Sequence, residues 1–133
     1  MKYLLDTNTC IYIMNRRPLA VVRKFREFDI GDVGVSSITV SELYYGVRKS
    51  KRQDENLHRL FAFLLPFEVL PYDESAAGVY GGIRADLERK GEIIGPLDML
   101  IAAHALSREL ILITNNIREF RRVQGLQLEN WIS

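Results

Sequence analysis

The sequence predicts an α/β fold in which a mostly parallel sheet of about five strands is covered by helices on both faces. Two observations carry this. Short apolar runs alternate along the chain with segments whose apolar residues recur at helical spacing, and parallel strands need crossover helices that bury both sheet faces. The 133 residues are enough to bury one sizeable core but not two. No internal repeat, low-complexity tract or Pro/Gly/Ser-rich linker divides them, so a single domain over residues 1–133 is expected. A composition 47% hydrophobic and 26% charged argues against disorder.

Taken in order, residues 2–5 read as a first strand, and Cys10, Ile11 and Met14 suit a short helix ending before Pro18. From Pro18, acceptable in a first turn, Val21, Phe25 and Phe28 fall at helical spacing. Residues 33–35 form a short strand candidate. Val40, Leu43, Tyr44 and Val47 lie at i, i+3, i+4 and i+7, which predicts a helix over 39–49. Leu57, Leu60, Phe61, Leu64 and Leu65 repeat that pattern up to Pro66. A brief strand at 68–70 precedes a long helix over 73–90, with Ala76, Tyr80, Ile83 and Leu87 on one face and Gly91 as its stop. Pro96 opens another helix running to about residue 108, and "LILIT" at 110–114 is the clearest strand in the chain. The tail "GLQLENWIS" supplies an edge strand and a Trp131 plug.

Several function classes drop out. Cys10 is the only cysteine, and the two histidines, His58 and His104, have no cysteine nearby, so neither an internal disulfide nor a zinc finger is available. No apolar run approaches the ~18 residues of a membrane span, and no signal-peptide pattern opens the chain; a cytoplasmic protein is expected. Gly78, Gly81 and Gly82 cluster inside a helical pattern and not after a strand, which suggests close helix packing instead of dinucleotide binding. A P-loop and a Gly-x-Ser-x-Gly elbow are both absent.

In parallel sheets, sites gather outside the carboxyl ends of the strands. Asp6 directly follows the first strand, Glu42 is expected in the first turn of the helix after the second, Asp98 lies in the first turn of the helix opened by "GPLD", and Asn115, Asn116 and Glu119 follow the strongest strand. Each has an ordinary structural role available: Asp6 as a cap, Thr39 to Glu42 as a capping box, Asp98 as a partner of a helix dipole. Those roles do not explain why acids recur at one sheet edge. Converging carboxylates repel unless something neutralises them, and a hard divalent cation does so through oxygen ligands while keeping open water positions. Such an ion activates water and stabilises charge on phosphoryl oxygens, which points to phosphodiester hydrolysis.

"LLDTN", "SELYYG", "GPLDMLIAAHA" and "LITNNIREF" resemble, in order and spacing, the PIN-domain ribonuclease toxins of the VapC type, from residue 2 to Trp131. The resemblance implies an α/β/α sandwich and an endoribonuclease using Mg2+ or Mn2+. It also implies RNA substrates such as the anticodon loop of a tRNA, with rRNA as another substrate class. A VapB-like antitoxin partner is implied too, with a homodimer that assembles further with the antitoxin and meets DNA only through it. By the same resemblance, Asp6, Glu42 and Asp98 match the acidic core that binds metal. Thr7 and Asn8 match the motif that orients Asp6, and Thr114 the polar residue that shapes the site after the fourth strand. Many relatives carry Asp where this chain has Asn116, so either Glu119 compensates as a catalytic acid or one ion suffices.

Net charge is only +1, but cations are grouped. Arg48, Lys49, Lys51 and Arg52 follow the Glu42 helix, beside Tyr44 and Tyr45 in sequence, and are candidates for phosphate contacts to RNA, or else a solvated face. Two competing readings remain: a non-catalytic RNA-binding module of the same fold, and a phosphate-ester hydrolase or phosphotransfer domain working through an aspartyl nucleophile. The intact acids disfavour the first, and Asn8, where a second acid is generally needed, disfavours the second.

Overall fold

The computed structural model describes residues 1–132. Five strands, β1 (Tyr3–Leu5), β2 (Val33–Ser36), β3 (Glu68–Leu70), β4 (Ile111–Ile113) and β5 (Leu128–Glu129), form one sheet in the order β3-β2-β1-β4-β5. Every pairing is parallel, so the sheet is wholly and not merely mostly so. The helices are α1 (Thr7–Asn15), α2 (Leu19–Arg26), α3 (Ser37–Arg48), α4 (Gln53–Leu64), α5 (Glu74–Lys90), α6 (Pro96–Ser107) and the short α7 (Ile117–Phe120).

Strand pleating divides the core in two. Leu4 and Leu112 face one layer with Ile83 and Leu87 of α5, Ile101 of α6 and Phe120. Their neighbours Leu5 and Ile113 face the other, with Cys10, Val21, Leu43, Leu60 and Trp131. The α/β/α sandwich follows from that alternation. Helix α6 is buried almost all round, Met99 and every residue from Ile101 to Ala105 included, as a helix wedged between the sheet and α5 must be. Trp131 fills the expected plug position, stacked on Phe28 at 4.8 Å between ring centroids.

Some local expectations change. Pro18 is the N-cap of α2 and not a residue of its first turn, and Phe28 lies beyond the end of α2, held by aromatic contacts with Tyr3 and Trp131. Gly91 ends α5 at φ 66°, the left-handed conformation that glycine adopts without strain. The packing role expected of Gly78, Gly81 and Gly82 is not found. All three are exposed, and a Cβ at any of them would meet nothing within 4 Å, because α5 packs through Ala76, Ile83 and Leu87 instead.

Register fixes the level of the strand exits. Leu5 pairs with both Val35 and Ile113, so Asp6, Ser36 and Thr114 leave the sheet side by side. The chain runs outward from β1 in both directions, which makes the β1/β4 exit the point where strand order reverses, the usual place for a site in an open α/β sheet.

Candidate active site

Asp6 leaves β1 and caps α1. Its backbone N–H donates to the Ile113 carbonyl at 3.0 Å, and its Oδ1 accepts from the Thr9 N–H at 2.8 Å. It is 4% exposed, and burial pushes its carboxyl above the ordinary range, partly offset by hydrogen bonds from Thr114 and Thr9. Capping and site roles therefore coexist in one side chain. Thr114, fully buried after β4, also accepts the Asn116 N–H at 2.9 Å, tying the start of α7 to the sheet edge as its expected shaping role requires.

Helix α3 begins two residues earlier than its periodicity suggests. Ser36 is the N-cap, its Oγ accepting the Ile38 N–H at 3.1 Å, so the capping box from Thr39 to Glu42 is not formed and Glu42 lies in the second turn. What Glu42 does instead is accept a hydrogen bond from the Thr7 hydroxyl at 2.6 Å, thirty-five positions away in sequence. The same hydroxyl lies 3.3 Å from that of Thr39, which is fully buried. Thr7 thus orients Glu42 and not Asp6, and the Asn8 side chain is exposed on the first turn of α1; Asp6 is oriented by Thr9.

Asp98 sits in the first turn of α6, behind the N-cap Gly95. Its carboxyl is pushed up to about 6, first by burial and then by the charges of Glu42, Asp6 and Glu119. That list of neighbours brings all four predicted acids into one electrostatic neighbourhood. Glu119 comes from α7, whose N-cap is Asn116. Among the described residues, none of the four acids has a Lys, Arg or His within ion-pair distance. Nor, among the described residues, do three His, Cys, Asp or Glu side chains stand close enough to share one ion. The donor chemistry fits a hard cation all the same: carboxylate oxygens, gathered at helix N-termini, with no protein cation to neutralise them.

Of the basic cluster, Lys49 alone lines a groove with site residues: Thr7, Asn8, Ile11, Ser41, Glu42, Tyr45, Gly46 and Leu97 complete it. Arg52 pairs with Glu55 at 3.5 Å, and Arg48 and Lys51 are exposed. Tyr44 packs edge-on to Phe61, as its apolar face predicts. Sequence reasoning missed Ser36 and undervalued His104. His104 is fully buried with its Nδ1 2.7 Å from Ser36 Oγ, joining α6 to the N-terminus of α3. The only signal for either was a serine at a strand exit.

The family model for the PIN domain matches residues 3–126. Ribonuclease VapC2 of Haemophilus influenzae is 46% identical over 132 residues, covering 99% of each chain. The tRNA(fMet)-specific endonuclease VapC of Shigella flexneri is 45% identical over 131 residues, covering 98% of each. Among solved structures, DNA-bound VapBC from Salmonella typhimurium superposes with a TM-score of 0.93 at 44% identity, over 98% of each chain. VapBC2 from Rickettsia felis, bound to a promoter DNA fragment, gives 0.90 at 40% identity, over 98% of this chain and 99% of that one.

Proposed function

Because this chain belongs to the PIN-domain family, among its VapC ribonucleases, we propose that it is the toxin of a toxin–antitoxin pair that cuts a tRNA in a single-stranded loop, the anticodon loop of initiator tRNA being the first candidate. The observation that carries the reading is the crowding around Asp98: a carboxyl raised to about 6 first by burial and then by the charges of three neighbouring acids, with no cation paired to any of them among the described residues. Such crowding stores repulsion that a divalent ion relieves.

Asp6, Glu42 and Asp98 would hold Mg2+ or Mn2+, with Glu119 and Asn116 on the α7 side. The ion would supply an activated water and charge stabilisation on the scissile phosphate. The chain's own residues do the arranging. Thr7 holds Glu42 and Thr9 holds Asp6, while Thr114 fixes the start of α7. Asn116 is neutral and leaves Glu119 as the acid on that side. Tertiary order at the strand exits is thus set before substrate arrives, which is how a site limits reorganisation during reaction.

The solved VapBC relatives are complexes, and the same kind of partner suits a groove on this chain. Ile11, Met14, Leu43 and Val47 line an apolar channel between α1, α3 and α4, with Glu42 also in its lining. An amphipathic antitoxin segment seated there would bring an Arg or Lys to the carboxylates and occupy the place of the metal's charge. DNA would be met through that antitoxin, and the pair would act in the cytoplasm. Among the described residues, no helix is long and apolar enough to cross a membrane.

The test is cleavage of purified initiator tRNA by the wild type and by Asp6→Asn, with Mg2+ and with EDTA, after circular dichroism has shown both to be folded. Discrete loop cleavage lost in the variant and in the chelator is expected. A folded, Mg2+-supplied wild type that leaves every tRNA and rRNA intact would sink the nuclease reading in favour of a binding module.

A further inference from the structure

The groove shared by α1, α3 and the start of α6 has features the acids do not explain. Tyr45 is 66% exposed on α3, whereas its neighbour Tyr44 is packed against Phe61. Facing the same groove are Ile11 of α1 and Leu97 of α6, at 39% and 44% exposure. The volume is about 470 Å3, within the roughly 300–1,000 Å3 typical of small-ligand pockets. Thr7 and Glu42 line it too, and Leu97 is the residue before Asp98. The Lys49 ammonium, also in the lining, stands 4.9 Å from the centroid of the Tyr45 ring.

We propose that this groove is a subsite for one unpaired nucleobase of the substrate RNA, stacked against Tyr45 between Ile11 and Leu97, with its phosphate toward Lys49. The proposal rests on the endoribonuclease reading. Charge complementarity selects the occupant. A nucleotide is a flat apolar ring with one anionic group, and the groove offers an aromatic and aliphatic wall with the Lys49 cation in its lining, its one carboxylate, Glu42, belonging to the acid site. Continuity with the carboxylates then decides the consequence: a base seated here sets which phosphodiester lies over the acids. Asn8 and Ser41 supply the polar groups at the rim that can read the base edge. Tyr45 is a specificity and positioning residue on this reading, and it does not take part in bond breaking.

The experiment uses the full chain and a synthetic anticodon stem-loop RNA of initiator tRNA. Binding is measured by fluorescence anisotropy in EDTA, on the Asp6→Asn background so that nothing is cut, with Tyr45 intact, Tyr45→Phe and Tyr45→Ala. Cleavage with Mg2+ is measured in parallel on the variants with Asp6 restored. Tyr45→Ala should weaken binding about five- to hundredfold, the equilibrium equivalent of one aromatic stack, and raise KM with little change in kcat. Tyr45→Phe should bind like the parent. An abasic substitution at one loop position should cost the parent the same factor and cost Tyr45→Ala nothing more. Additive losses at every loop position, or equal binding by Tyr45→Ala and the parent, would overturn the subsite. Equal RNA binding together with a weakened antitoxin complex would overturn it also and assign the face to the antitoxin. Tyr45-dependent binding without cleavage by the wild type would sustain the subsite and refute the nuclease reading.

Discussion

At the level of single residues, the acids differ in how they are held, and the differences predict different phenotypes. Asp98 has a carboxyl raised to about 6 from 3.8. The folded chain therefore binds a proton more readily than the unfolded chain between those values, so stability falls as pH rises through that window, and the penalty is fully present above about 6. At pH 7.5 in EDTA, Asp98→Asn should raise the melting temperature by a few degrees while lowering cleavage in Mg2+ at least about a hundredfold. A scanning-calorimetry trace showing the variant less stable than the parent under those conditions would mean the four charges are not in conflict. Thr7 acts one step back. Thr7→Val removes the hydroxyl that holds Glu42 at 2.6 Å and should lower activity about ten- to hundredfold, the usual loss for a residue that orients a ligand. Its stability should change by no more than about 1.5 kcal/mol, because Thr7 is only half-buried. Steady-state kinetics alongside urea melts separates the two.

At the level of elements, the joint between α3 and α6 organises the site more than either helix does alone. Ser36 Oγ accepts the Ile38 N–H and meets His104 Nδ1, so one hydroxyl caps α3 and fastens α6 to it. Ser36→Ala should cost about 1–2 kcal/mol from the cap, with a further loss because a buried imidazole nitrogen is left without its partner, read from the midpoint of urea unfolding. The element pattern explains what sequence could reveal. Strands β1, β2 and β4 follow from short apolar runs, and Gly91 and Pro96 mark their helix ends by local chemistry that depends on no distant neighbour. The start of α3 is not legible because periodicity begins at Val40 and Thr39 with Glu42 matches a capping box locally, whereas the real cap is decided by where β2 stops pairing. The contact between Thr7 and Glu42 is invisible for a related reason: it depends on the register of β1 against β2. The glycines of α5 misled because periodicity identifies an apolar face without saying what covers the opposite one.

For the whole molecule, the site couples to global stability because its acids hang from three strands and four helices that share one sheet. Mg2+ binding to the folded chain alone should stabilise every element together, by about 2.7 kcal/mol when the ion is present at a hundred times its dissociation constant. The expected result is a single melting transition that moves up with Mg2+ at pH 7.5, and fails to move for Asp6→Asn or Asp98→Asn. Protons compete for the same oxygens. Because Asp98 takes up its proton near 6, lowering the pH from 7.5 to 5.5 should shrink the Mg2+-induced shift of the wild type, even though the metal-free protein gains stability from Asp98 over the same interval. The two effects have opposite signs on one axis, so melting curves collected with and without Mg2+ at both values distinguish them. A Mg2+ shift that is equal at pH 5.5 and 7.5, or that survives loss of either aspartate, would place the ion somewhere other than among these carboxylates.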